Sequence, residues 1–175
     1  GDTVAIIGAG PSGIVHAMLS RYFGAGQVIV SDLIDYRLKA AKGLGSDLTV
    51  NPQEESLAEK VREVTDGRGA DLVIVTAPNL KALADGIKVC RRGGTLCLFA
   101  PLQPEEQTKI SPYRLFFSEI TLVPSYSTSH VETRMALEML NSGKLRIREL
   151  ITHVFPLTRV MDAFKTAAEG KECLK

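Results

Sequence analysis

The strongest constraint on this chain is Gly8-x-Gly10-x-x-Gly13, which follows directly on the apolar run Thr3 to Ile7 and opens onto Ile14, Val15, Met18, Leu19 and Tyr22 at helical spacing. A strand that passes through a glycine turn into a helix leaves the first N–H groups of that helix without partners, facing whatever lies beyond the strand end. In such a loop the first glycine permits the tight turn, the second lets the backbone approach a pyrophosphate, and the third allows helix and strand to pack closely. Pro11 has no N–H and its fixed φ suits a first helical turn, so Ser12 and Gly13 supply the amides. Gly8, Gly10, Pro11, Ser12 and Gly13 are therefore the expected phosphate-binding residues.

Asp32 ends a second apolar run, Val28 to Val30, at the spacing of about 20 residues where a carboxylate accepts both hydroxyls of an adenosine ribose. A 2′-phosphate there would meet like charge, and no basic residue directly follows Asp32, so the expected cofactor is NAD rather than NADP. The competing role for Asp32 is the N-cap of the next helix, a duty Asp35 is also placed to fill. Arg37 stands where a guanidinium can lie against the adenine face, the alternative being an exposed helix arginine.

Further along, apolar runs of strand length keep alternating with helix-period segments. The strands are expected at Leu48 to Val50, Leu72 to Val75, Thr95 to Phe99 and Ile120 to Val123. Ser56 with Glu59 and Ser129 with Glu132 have capping-box spacing, Asn79 is placed to cap a helix, and Gly143 closes one. This pattern predicts an α/β fold, a doubly wound, six-stranded parallel Rossmann sheet with helices on both faces. Beyond Gly143 two short extended pieces are expected between Leu145 and Phe155. Leu157, Val160, Met161 and Phe164 then mark a last amphipathic helix with no evident partner surface. The expected division is a dinucleotide-binding domain over 1–142 and a C-terminal extension over 143–175.

Composition excludes several classes. With 45% hydrophobic and 23% charged residues in 175, the chain is not a disordered one, and a net charge of +1 gives no field for nucleic acid or acidic lipid. No apolar window reaches the length of a membrane span, and Asp2 stands where a signal peptide would carry Lys or Arg, so a cytoplasmic protein is expected. Cys90, Cys97 and Cys173 lack C-x-x-C spacing and read as reduced, buried thiols. His16, His130 and His153 lie in separate elements without ligand-spaced partners, so no metal site is expected. The start at Gly1 rather than Met suggests a piece of something longer.

The stretch Val4-Ala5-Ile6-Ile7-Gly8-Ala9-Gly10-Pro11-Ser12-Gly13 resembles the opening of flavin-dependent monooxygenases, but the second glycine-rich block of those proteins is missing. The remainder resembles the zinc-type medium-chain alcohol and polyol dehydrogenases, in particular the sorbitol and threonine dehydrogenase group. The resemblance is carried by Ser31-Asp32-Leu33 with Arg37-Leu38, Gly43-Leu44-Gly45-Ser46-Asp47, Gly67-Arg68-Gly69-Ala70-Asp71, Arg92-Gly93-Gly94-Thr95-Leu96 and Leu150 to Leu157, and it covers nearly the whole chain.

The resemblance implies the cofactor-binding domain of an enzyme that oxidises a secondary alcohol, polyol, sugar or amino alcohol by hydride transfer to NAD. Catalytic and structural zinc ligands belong to a further, N-terminal domain of that family; none maps onto this chain, and neither does an acid or base. The segment past Gly143 would pack on that absent catalytic domain. The resemblance adds Phe99, Ala100, Pro101, Pro124, Ser125 and Tyr126 as cofactor contacts, although relatives often carry Gly near Ala100 and Arg near Ser125. Phe99 and Tyr126 are equally suited to a core. The strand containing Val123 resembles an edge that pairs between subunits, implying a homo-oligomer. Two other functions remain in play: a stand-alone NAD(H)-binding or sensing module without chemistry, and a flavin-binding domain.

Overall fold

Six strands form: β1 (Thr3–Ile7), β2 (Gln27–Ser31), β3 (Leu48–Val50), β4 (Ala70–Val75), β5 (Cys90–Leu98) and β6 (Thr121–Pro124); β5 starts ahead of the apolar run expected from Thr95 and takes in Arg92-Gly93-Gly94, because Ala70 at the start of β4 pairs with Cys90. In the computed structural model, which describes residues 1–175, they pair in parallel in the order β3-β2-β1-β4-β5-β6. Starting from β1, the chain steps outward to β2 and β3, then returns to the other side of β1 and steps outward again. The direction of travel reverses between β1 and β4, and there the loops leaving the two strands part to open a crevice.

Both faces of the sheet are covered along β1, β2 and β4, which is why the apolar runs of those strands are continuous rather than alternating. Val4 and Ile6 enter one core with Ile14 and Met18 of α1 (Pro11–Tyr22) and Leu38 of α2 (Asp35–Gly43). Ala5 and Ile7 enter the other, with Val61 of α3 (Leu57–Glu63) and Leu83 of α4 (Leu80–Val89). Consecutive residues of β1 thus serve opposite layers, as the two-residue strand period requires. Truncating Ile6, fully buried at the centre of β1, to Ala would cost about 2–5 kcal/mol.

The helix starts follow the sequence signals. Asn79 caps α4 by accepting the Ala82 amide at 2.8 Å. Ser129 caps α6 (His130–Asn141) by accepting the Val131 amide, while Glu132 reaches back to the Ser129 amide at 2.8 Å. At α3 only half of the expected capping box forms: Ser56 accepts the Glu59 amide, with no return bond from the Glu59 side chain. A seven-residue helix, α5 (Pro112–Ser118), joins β5 to β6.

The C-terminal segment differs from its sequence expectation. Instead of extended pieces, Ile147–Leu150 forms a 3-10 turn, and a second 3-10 turn, Leu157–Arg159, leads into α7 (Val160–Glu169). The turn drives Leu150 into the α1/α2 core, and Leu174 joins it there. Leu145 and Ile147 pack against the same core, so three residues of this segment meet α1 and α2 without the two-residue alternation of a strand. The side of α7 bearing Met161 and Phe164 remains exposed. So do all four residues of β6 and the apolar residues Val131, Met135, Leu137 and Leu140 of α6. Of the three thiols, only Cys173 is buried; Cys90 and Cys97 are partly covered, and all three are free.

Candidate cofactor site

The glycine loop has the geometry its sequence demands. Gly8 takes φ 108, in the region that favours glycine, and its amide donates to the Ser31 carbonyl at 2.7 Å. A Cβ on Gly8 would lie 2.6 Å from Thr76 Oγ1, and one on Gly13 would run into the Gly8 carbonyl. Gly10 caps α1 in extended conformation with nothing within 4 Å of a Cβ position. The first and third glycines are therefore required by packing. The second leaves free the space an approaching pyrophosphate needs, and Pro11 occupies the first helical turn behind it.

Asp32 lies one residue past β2 and grips the loop. Its Oδ2 accepts the Ala9 amide at 2.6 Å and its Oδ1 accepts the Ile34 amide at 2.9 Å. Each carboxylate oxygen has two lone pairs, so capacity for two further donors remains. Beside it a cleft of about 260 Å³ is lined by Gly8, Asp32, Ile34, Arg37, Ala77 and Asn79, among others. Helix α2 starts not from Asp32 but after Ile34, with Asp35 in its first turn accepting from Asn51 Nδ2 at 2.9 Å. The carboxylate of Asp32 is thus left to face the cleft. Two cations border it, Arg37 and Lys81. Lys81 is engaged with Asp85 at 2.9 Å. Burial alone would raise the Asp85 carboxyl, but the ammonium groups of Lys81 and Lys88 outweigh it and hold that carboxyl below its ordinary range.

Thr76 was not singled out by sequence reasoning. Its hydroxyl lies 3.1 Å from the Ile7 carbonyl and 3.0 Å from that of Gly8, and its amide donates to Ile7 at 2.9 Å, tying the end of β4 to the glycine loop. A polar residue placed immediately after the buried run of β4 was the available signal.

The remaining expected contacts form a row along the same sheet edge. Phe99 and Ala100 donate their amides to the Val75 carbonyl, each at 3.1 Å, and Ser125 donates to Leu98 at 2.9 Å. Pro101 follows Ala100 and Pro124 ends β6, both exposed. Phe99 is 38% exposed, with its ring edge-on to His16 at 4.4 Å, and Tyr126 is 96% exposed, so neither is a core aromatic. Asp32, the glycine loop, Thr76, Phe99 and Ser125 stand on five neighbouring strands. Four strand spacings amount to about 19 Å, the scale of an extended dinucleotide rather than of a single nucleotide.

The chain belongs to the zinc-binding dehydrogenase family. The family model described as zinc-binding dehydrogenase matches residues 11–142. A sorbitol dehydrogenase of Bacillus subtilis is 32% identical over 100% of this chain and 49% of its own length. An L-threonine 3-dehydrogenase of Saccharopolyspora erythraea is 30% identical over 98% of this chain and 49% of its own length. The chain thus spans about half the length of the curated relatives it matches. Among solved structures, an alcohol dehydrogenase from Thermus sp. ATN1 superposes with TM-score 0.92 at 26% identity, over 99% of this chain and 50% of that one. A zinc-binding dehydrogenase from Sinorhizobium meliloti bound to NADP superposes with TM-score 0.81 at 28% identity, over 87% of this chain and 45% of that one.

No three His, Cys, Asp or Glu side chains of this zinc-binding dehydrogenase domain come together in a group able to hold a metal ion. Its residues therefore do not fit a zinc site. They do fit a dinucleotide, with the open space at Gly10 and the spare acceptor capacity of Asp32 as the structural grounds. No helix is long and apolar enough to cross a membrane.

Proposed function

We propose that residues 1–142 bind NAD in preference to NADP, and that the whole protein uses it to oxidise a secondary alcohol of the polyol, sugar or amino-alcohol class. The observation that carries this reading is Asp32, fastened to the glycine loop with acceptor sites left over beside the cleft. The ribose hydroxyls donate to Asp32, where a 2′-phosphate would be repelled. The amides of Ser12 and Gly13 and the positive end of α1 hold the pyrophosphate above Gly10. Arg37 lies over the adenine. Phe99, Ala100, Pro101, Pro124, Ser125 and Tyr126 border the nicotinamide half. Bound NAD supplies the hydride acceptor. This chain's residues orient it and supply no acid, base or metal ligand, so the purified chain has negligible turnover by itself.

Residues 143–175 are proposed to continue toward the rest of the protein through the exposed side of α7, and the uncovered β6 edge supports pairing between two copies. The proposed setting is the cytoplasm, where free thiols such as Cys90, Cys97 and Cys173 persist. A binding-only NAD(H) module predicts that residues past Gly143 fold onto the sheet and that the apolar surface is covered; Leu150 and Leu174 do enter the α1/α2 core, while apolar residues of β6, α6 and α7 stay exposed.

Calorimetric titration of the purified chain with NAD and with NADP tests the cofactor assignment. Tighter binding of NAD is expected, and equal or reversed affinities overturn it. Robust metal-dependent NADH production by this chain from a panel of polyols would overturn the assignment of turnover to the rest of the protein.

A further inference from the structure

Arg37 borders the cleft, yet no group of the six-stranded domain holds its guanidinium in place. The single hydrogen bond of its side chain runs from Nη2 to the carbonyl of Gly170, 3.2 Å away and 133 residues later in the chain. Its Nε is buried with no partner at all. A buried donor in that condition is an open valence that a ligand or an ordered water fills.

Gly170 is itself well anchored. It is buried, ends α7 in the left-handed region at φ 60, and donates its amide to the Thr166 carbonyl at 3.2 Å. The residues after it are fastened to the core between α1 and α2. Leu174 enters the core cluster of Leu38 and Ala41, and its amide donates to Thr152 Oγ1 at 3.1 Å. The Thr152 amide in turn donates to the Lys175 carbonyl at 3.0 Å. Residues 170–175 are therefore a strap anchored in the α1/α2 core, and its Gly170 carbonyl meets Arg37 beside the cleft.

We infer that this strap belongs to the cofactor site: Gly170 is a positioning residue that sets the pose of Arg37 and through it the affinity for the adenosine end of the cofactor. The inference rests on reading the cleft as the adenosine site. A free arginine would have to be ordered by the incoming ligand, at an entropic cost that lowers affinity, and the Gly170 carbonyl removes that cost in advance.

Gly170→Ala tests it. A Cβ there falls 2.9 Å from Arg37 Nη2, and the next atom, the Ala167 carbonyl oxygen, is 3.7 Å away, so the part that yields is the end of a flexible side chain. Gly143→Ala is the control, because Gly143 also ends a helix at φ 69 but has nothing within 4 Å of its Cβ position. The purified full chain is titrated with AMP and with NAD. Gly170→Ala and Arg37→Ala are each expected to weaken AMP binding about three- to tenfold, with no further loss when combined. Gly143→Ala lowers the Tm but binds as the parent does. Parent-like affinity in Gly170→Ala, or additive losses in the double variant, overturns the strap inference alone. Absence of AMP and NAD binding by the parent overturns the reading of the cleft and the inference with it. Should Gly170→Ala not fold, Leu174→Ala loosens the strap from α2 without touching the cleft and carries the same expectation.

Discussion

Asp32 Oδ2 accepts the amide of Ala9 at 2.6 Å, so the acidic residue after β2 and the glycine loop after β1 are one unit. Asp32→Ala removes both the acceptor facing the cleft and the brace on the loop. It is expected to weaken NAD binding by at least about tenfold while leaving NADP binding less affected, so that selectivity falls. Calorimetry with both dinucleotides measures this; unchanged selectivity would take Asp32 out of its role.

Gly13 and Gly10 separate stability from binding. At Gly13 an added Cβ is driven into the Gly8 carbonyl, with Thr76 Oγ1 at 3.1 Å, and rigid backbone cannot give way. Gly13→Ala should lose about 2–4 kcal/mol in denaturant unfolding. Gly10→Ala meets open space and should stay within about 0.5 kcal/mol of the parent, yet bind NAD weakly because the Cβ occupies the pyrophosphate's approach. A Gly10→Ala chain that binds normally would show that the phosphates lie elsewhere.

The imidazole of His16, edge-on to Phe99, is pushed below its ordinary value of 6.5 by burial. The folded state therefore takes up a proton at lower pH than the unfolded state does. The stability held with His16 neutral is complete above pH 6.5, and it falls as the pH drops below that value toward the folded-state pKa. The Tm should decline between pH 7 and pH 5, and His16→Gln should flatten that part of the profile. An unaltered slope in the variant would assign the decline to other groups.

Exposed aromatic and aliphatic side chains are grouped on elements that face away from both cores: Tyr113 and Phe116 on α5, Met161 and Phe164 on α7, and the isolated Tyr126. Patches of this kind bind hydrophobic dyes and associate. The purified chain should enhance ANS fluorescence and elute earlier in size-exclusion chromatography as its concentration rises. Met161→Ser with Phe164→Ser should reduce both effects. A monomeric, dye-silent parent chain would contradict the expectation.

Most of the sheet was legible because its signals are local. Thr3 to Ile7 and Leu48 to Val50 are strands to the residue, and Asn79 and Ser129 cap the helices their spacing foretold. The glycine loop and Asp32 were legible for the same reason. Each marks a strand end, and a strand end in a parallel sheet is already a place on the binding edge. Less was legible where one residue's environment is supplied by another far along the chain. Thr76 matters through the carbonyls of Ile7 and Gly8, and the turn at Ile147–Leu150 exists because Leu150 finds room between α1 and α2.

Residues 1–142 carry within their own sequence the alternation of strand and helix, the turn at Gly8 and the carboxylate at Asp32, because hydrophobic period, capping and backbone freedom act over a few residues at a time. Tertiary structure alone decided that Asp32 would clasp the Ala9 amide, that Phe99 would stand against His16 rather than in a core, and that the Gly170 carbonyl would meet Arg37. Those contacts join segments with no shared local pattern. They form only after the sheet order has brought distant strand ends and helices together, and the free energy that selects them comes from burial and hydrogen bonding in the assembled layers.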